Sequence, residues 1–359
     1  MTTTEMPPFD PAVVEEFAGR IAGTVTAGVV TLMIDIGHRT GLFEAAAAGP
    51  ATSAELAERA GLSERYVREW LGAVSTAGIF RYDPDAGTFT LPVEHALLLT
   101  GGGSSNLAVL APLVGDLARH VGAVTEAFRT GAGVPYDCYR PEFTTTMDEV
   151  GRRTYDEALV DGFLAAAPGL VERLRQGITA ADLGCGAGHV VNLLGRAFPA
   201  STFVGFDIAE DALEAGRREA QAWGLDNVRF ERHDVAQLPA TARFDLVTAF
   251  DAVHDQADPA GVLRRAHDAL ADDGTFFMVD IKASSDLANN LDNPLAPMLY
   301  GISVMHCMSV SLAAGGAGLG TAWGRELACE MLAAAGFTSV SVHELPQDVF
   351  NLIYVCKPR

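Results

Sequence analysis

Lysine is nearly absent from this chain. Of 25 basic side chains only Lys282 and Lys357 are lysines, and the basic total falls far below the 46 acids, for a formal net charge of −21. Polyphosphates repel such a chain unless a local basic stripe offsets the field, so DNA and RNA are disfavoured partners for the molecule as a whole. Cysteine is also scarce. The five thiols (Cys138, Cys185, Cys307, Cys329, Cys356) are scattered and odd in number. That spacing excludes a CxxC pair or a zinc knuckle and leads us to expect reduced thiols in a cytoplasmic protein. A long hydrophobic run is missing as well. The longest, around Val25 to Ile36, is broken by Asp35 and falls short of the ~20 residues of a membrane span. The first eleven residues lack the basic and apolar regions of a secretory leader. What is present is apolar content, 49 % over 359 residues, enough for two domains with real cores.

The pattern along the chain divides it. Residues 1–100 read as a small helical unit, 101–177 as a helical connector, and 178–359 as alternating strands and helices. In the first unit Thr52-Ser53-Ala54-Glu55 is a capping box that opens a short helix. Ser63 can cap the next, which lines up Val67, Trp70, Leu71 and Val74 on one face. Gly78 ends it, and Ile79–Tyr82 and Thr88–Leu91 flank a turn-rich hairpin loop. Helix, tight turn, helix and hairpin make a winged helix-turn-helix. Its charge opposes DNA binding: residues 51–95 hold four arginines (59, 65, 68, 81) against seven acids (55, 58, 64, 69, 83, 85, 94). We therefore expect a module for packing, for dimerisation or for covering a substrate. The apolar segment Ile21–Phe43 suits a helix buried against a second chain, which predicts a homodimer.

The second half predicts an α/β fold, a doubly wound Rossmann-like sheet of seven strands whose last strand is antiparallel. Predicted strands lie at 178–183, 201–208, 228–233, 244–250, 275–281, 339–344 and 351–356. Ligands in such sheets sit at the carboxyl ends of the strands, beside the first one. Three features gather there. The loop Gly184-Cys185-Gly186-Ala187-Gly188 lets the backbone approach a ligand closely. Asp207, ending the second strand, can accept from ribose hydroxyls, and Asp234, ending the third, from an exocyclic amine, with Val235 packing on the ring. The loop lacks the GxGxxG spacing of a nicotinamide fingerprint, since His189 follows Gly188.

Asp182-Leu183-Gly184-Cys185-Gly186-Ala187-Gly188, Phe244-Asp245-Leu246-Val247 and Leu270-Ala271-Asp272-Asp273-Gly274-Thr275 resemble three motifs of class I S-adenosylmethionine-dependent methyltransferases. The resemblance covers about 178–358. It implies S-adenosylmethionine as cofactor, with Asp182, Gly184, Gly186, Gly188, Asp207, Asp234, Val235 and Phe250 as its candidate contacts. Helical N-terminal unit plus His254-Asp255 after the fourth strand looks like the small-molecule O-methyltransferases of plants and actinobacteria, which implies His254 as general base. Asp255, or Asp251, would orient the imidazole. An insertion at about 285–324 carries Tyr300 and His306, and these with Asp251 are the candidate acceptor contacts. Its glycine-rich part, 315–324, reads as a lid hinge or a tight crossing. Animal-type catechol methyltransferases resemble the sheet but use a divalent ion held partly by an Asp-Asn pair. Here Ile281 follows Asp280, so no metal is expected. The expected partner is a small-molecule acceptor, with neither nucleic acid nor membrane. The alternative reading is a transcription regulator that senses the cofactor and binds DNA through the winged helix.

Overall fold

The computed structural model describes residues 9–238, 243–346 and 348–358. The chain forms two compact units, one running to Gly115 and the other from Asp116. The segment 101–177, expected as a connector, is thus divided between them.

The first unit is built as its local signals dictate. Thr52 and Glu55 complete the capping box at the start of helix Ser53–Ala60, and Gly61 closes it in the left-handed conformation. Helix Glu64–Thr76 buries Val67, Trp70, Leu71 and Val74, the four residues of the predicted stripe. Ser63 supplies no side-chain cap there. The wing is β1 (Arg81–Asp83) paired antiparallel with β2 (Thr88–Thr90). Trp70, Phe43 and Phe80 form an aromatic centre, and the Trp70 indole N–H donates to the Met33 carbonyl at 2.8 Å.

That carbonyl belongs to helix Pro11–Thr40, where the structure departs from expectation. The helix is capped by Asp10 and runs 30 residues, of which only Gly37 is buried. By length and composition alone it could cross a membrane, so the reading of Val25–Ile36 as too short is corrected. The physical reason is that Asp35 and the flanking polar residues interrupt the apolar run without interrupting the helix. The helix pair Ala296–Ala313 passes the same test of length and composition.

The second unit centres on a seven-stranded sheet: β3 (Thr179–Leu183), β4 (Thr202–Asp207), β5 (Val228–Arg232), β6 (Phe244–Phe250), β7 (Leu270–Ile281), β8 (Ser339–His343) and β9 (Asn351–Lys357). Their order is β5-β4-β3-β6-β7-β9-β8. All neighbours are parallel except β9, which runs antiparallel to both β7 and β8. Alternate residues feed opposite faces. Ala181, Leu183, Val247, Phe276 and Met278 pack one core with helices Pro259–Asp268 and Gly324–Ala334. Ala180, Phe203, Leu246, Phe277 and Val279 pack the other with helices His189–Ala197 and Glu210–Ala222. The sheet reverses direction of growth at β3, so the carboxyl ends of β3, β4 and β6 open one crevice.

Candidate active site

The loop after β3 occupies that crevice. Gly184, Gly186 and Gly188 all have positive φ, at 71°, 53° and 72°. A Cβ on Gly188 would also lie 2.2 Å from the Phe230 ring, so glycine is demanded twice there. The amides of Gly184 and Cys185 both donate to the Phe206 carbonyl, at 2.9 and 3.0 Å. Asp207 completes the loop: Oδ2 accepts from Gly186 N and Oδ1 from Ala209 N, each at 2.8 Å. Burial raises the pKa of this carboxyl against the opposing pull of those amides. Each oxygen keeps a lone pair for a ligand hydroxyl.

The other predicted contacts are less alike. Asp182 lies buried beneath the loop, where Thr248 Oγ1 donates to its Oδ1 at 2.6 Å, and burial pushes its pKa up to about 7. Asp234 is exposed and locally engaged. Its Oδ1 accepts from Ala236 N at 3.0 Å and its Oδ2 from Gln237 Nε2 at 2.7 Å, so it caps the turn that follows β5. Val235 beside it is buried. Phe250, ending β6, meets the Tyr155 ring edge-on at 5.1 Å.

Asp251 is the one non-glycine residue with positive φ (51°) among the described residues. Its Oδ2 accepts from the Tyr155 hydroxyl at 3.4 Å, while Oδ1 is buried without a partner among the described residues. Burial, then the neighbouring Asp280, pushes its pKa up to about 7. Positive φ together with an unpaired buried oxygen makes Asp251 a candidate functional position.

His254 is 4 % exposed, and its Nδ1 lies 2.8 Å from Oδ1 of Asp280, which is wholly buried at the end of β7. A carboxylate only accepts, so Nδ1 carries the proton. Burial alone would lower the imidazole pKa; the Asp280 charge overrides it and holds His254 well above its usual value. The expectation of Asp255 or Asp251 as the orienter is therefore corrected. Asp255 instead accepts from Gln256 Nε2 at 3.2 Å, and burial lifts its pKa to about 6. β6 and β7 are parallel neighbours, so their carboxyl ends deliver His254 and Asp280 side by side. The signal was available in the sequence: an acid ending the strand adjacent to the histidine's own.

The insertion helix is broken. Ala296–Met305 and Cys307–Ala313 meet at His306, whose backbone (φ −138°, ψ −81°) is not helical. His306 is 2 % exposed, stacked on Phe143 at 3.7 Å and edge-on to Tyr139 at 4.7 Å. Both ring nitrogens are buried without partners among the described residues, and burial drives its pKa down to about 3, so it is a neutral imidazole. Tyr300 lies elsewhere in the insertion. Its hydroxyl accepts from Asn290 Nδ2 at 3.1 Å, and it lines a surface cavity of about 360 Å³ with Leu287, Leu291 and Pro297. Tyr300 and His306 thus sit in separate settings. Tyr136, which the sequence did not suggest, is half-buried and close enough to Asp207 and Asp255 for both charges to act on its hydroxyl, and burial first of all raises its pKa to about 12.

The comparisons with known proteins bear on these features. Residues 28–101 match an Rv2258c-like winged HTH domain, and residues 174–312 match a methyltransferase domain. The chain carries a methyltransferase domain. Across 258 residues the chain is 28 % identical to mouse (Mus musculus) acetylserotonin O-methyltransferase, covering 67 % of this chain and 66 % of that one. The chain spans about two thirds or less of the length of the curated relatives it matches. Mitomycin 7-O-methyltransferase MmcR shares the fold with a TM-score of 0.69 and 19 % identity, over 97 % of this chain and 98 % of that one. Human N-acetylserotonin methyltransferase in complex with SAM does so with a TM-score of 0.67 and 18 % identity, over the full length of both. The methyltransferase domain match begins ahead of β3 and includes the glycine loop, Asp207, Asp251, His254 and Asp280.

Proposed function

We propose that this protein transfers a methyl group from S-adenosylmethionine to the hydroxyl of a small-molecule acceptor, with His254 as general base. The observation that carries the reading is the pairing of two constellations at adjacent strand ends: the glycine loop hydrogen-bonded to Asp207, and His254 hydrogen-bonded to Asp280. The site suits a cation without phosphates. Asp182 and Asp207 are buried and Asp251 and Asp255 half-buried, all four with raised pKa, and the nearby Arg140 is paired with Asp137 and Asp211. Gly184, Gly186, Gly188 and Asp207 would hold the cofactor from below, with Asp234, Val235 and Phe250 toward its ring. When bound, the cofactor supplies a methyl carbon activated by the sulfonium. The protein then has to align an acceptor and remove its proton. His254 does the second, with Asp280 fixing the ring. Asp251 and His306 are the proposed acceptor contacts, while Tyr300, in its separate surface cavity, is left out of the set. His306 presents a neutral ring between aromatic neighbours.

Calorimetric titration with S-adenosylhomocysteine tests the cofactor half, and one site per chain is expected. Radiolabelled methyl transfer to a panel of phenols tests the chemistry. His254→Ala should keep the cofactor affinity and lose ~10²–10⁴-fold in rate. Full turnover by that variant would remove His254 from the reaction.

A homodimer in a cytoplasmic setting completes the reading. Phe17, Ile21, Val25, Val29, Leu32 and Ile36 stay exposed along helix Pro11–Thr40 at three- and four-residue spacing. The helix also contains Gly19, Gly23 and Gly28, at which an added Cβ would meet nothing. A helix so rich in glycine and β-branched residues needs a packed partner, and a stripe at this spacing is self-complementary about a twofold axis. The winged helix is poorly disposed to DNA, because Arg65 and Arg68 are paired with Glu69 and Glu64 on its second helix.

A further inference from the structure

The glycine-rich segment 315–324 was expected to be a hinge or a crossing. Its contacts assign it a different task. Gly320 N donates to the His254 carbonyl at 3.2 Å, and Ala317 N to the Ala257 carbonyl at 3.0 Å, so the segment is strapped to the loop that carries the base. Its last aromatic residue, Trp323, is 3 % exposed and donates its indole N–H to Asp280 Oδ1 at 3.1 Å. That oxygen also accepts from His254 Nδ1 and from Ile281 N, both at 2.8 Å, while Oδ2 is buried without a partner among the described residues. One carboxylate oxygen therefore gathers three donors. The indole is itself anchored: the Trp323 amide donates to the Gly320 carbonyl, and the Ser285 hydroxyl donates to the Trp323 carbonyl at 2.6 Å.

We propose that Trp323 is a positioning residue for His254, acting through Asp280: its indole N–H fixes which carboxylate oxygen faces the imidazole and draws off part of that oxygen's charge. The inference rests on the reading of His254 as general base. The physical argument is direct. An N–H dipole aimed at a carboxylate in a water-free setting stabilises the anion and weakens its hold on a neighbouring proton. Without the indole donor, Asp280 would bind the His254 proton more firmly, and the base would be less available near neutral pH. The other titratable groups around the pair are Asp251 and Asp255 on the loop after β6, Cys307 and His306 in the insertion, and Tyr354 on β9.

The test is a titration that needs no acceptor. The full-length protein is labelled with ¹³C at histidine Cε1 and ¹⁵N at the indoles, and the His254 signal is the one lost in His254→Gln. Trp323→Phe keeps an aromatic ring and removes the donor. It is expected to raise the His254 midpoint by roughly 0.5–1 pH unit, with S-adenosylhomocysteine affinity held within about twofold. In the unaltered protein the Trp323 indole N–H should shift with the same midpoint as His254. If Trp323→Phe does not fold, this second measurement stands alone, with Trp70→Phe and Trp223→Phe assigning the other two indoles. An unchanged or lowered midpoint, or an indole resonance indifferent to His254, overturns the proposal. Retained turnover in His254→Ala would overturn the base reading while leaving the titration result intact, so the two failures are distinguishable.

Discussion

At the scale of single residues the site is a set of carboxyls with different tasks. Asp280 is aimed at an imidazole, Asp207 at a loop amide, and Asp234 at its own turn. Asp280→Asn should therefore lose ~10²-fold or more in turnover, since the amide can neither hold Nδ1–H with the same charge nor stabilise an imidazolium. Its S-adenosylhomocysteine affinity should stay near that of the parent, which calorimetry would check. Asp207→Asn should weaken the same ligand at least ~10-fold, because the carboxylate orders the loop and, on the proposed reading, would also face the ligand. Asp234→Asn should change it by about threefold or less, as its oxygens are already engaged. The pH profile has a sign. His254 is held protonated above its usual range, and a base acts only when deprotonated, so kcat/KM should rise from pH 6 upward through the His254 midpoint. A profile that falls over pH 6–8 would count against this base.

At the scale of elements, the strands and the glycine loop were legible because each is specified locally. Apolar runs between turn signals give buried strands, and three glycines in five residues give a loop that no other residue could form. Gly188→Ala should be severe: positive φ plus collision with Phe230 predicts a loss of roughly 2–5 kcal/mol in thermal or denaturant unfolding. Thr52→Ala, which removes the cap of helix Ser53–Ala60, should cost the first unit about 1 kcal/mol. The insertion was less legible. Its apolar composition reads as one helix from 295 to 312, and the break at His306 follows from ring packing against Phe143 and Tyr139, residues distant in sequence.

At the scale of the whole molecule, the acidity has a direction. Asp182, Asp251 and Asp255 titrate in the folded chain near 7, 7 and 6, above their unfolded value of 3.8. A raised carboxyl binds more protons folded than unfolded, so each contributes less stability as pH climbs from about 4 to 7. His254, also raised, contributes stability below 6.5 that is lost as pH passes its folded midpoint. Glu219 runs the other way, since its pKa of about 2 favours the fold above 4.5 and is lost only in acid. The expected outcome is a Tm higher at pH 5.5 than at pH 8.5, and a Tm that climbs over this span would contradict it. Light scattering should give about twice 37.8 kDa, with Val25→Asp halving it. A monomer that instead sediments with lipid vesicles would assign the exposed helix to a membrane surface and remove the dimer.

The sequence by itself determined the winged helix, the seven-stranded sheet and the residues at its carboxyl edge. Those features depend on short-range rules: capping, periodicity, turn chemistry and the exclusion of side chains from the glycine loop. What only the tertiary structure decided is which of those residues touch. Sequence neighbours made Asp255 the natural companion of His254, but consecutive residues leave the backbone in different directions. The sheet order instead sets the end of β7 beside the end of β6 and gives the histidine to Asp280. Trp323 reaches the same oxygen from 43 residues further along the chain. No local rule encodes a contact of that length; it exists because a packed core leaves a buried carboxylate few other places to find its donors.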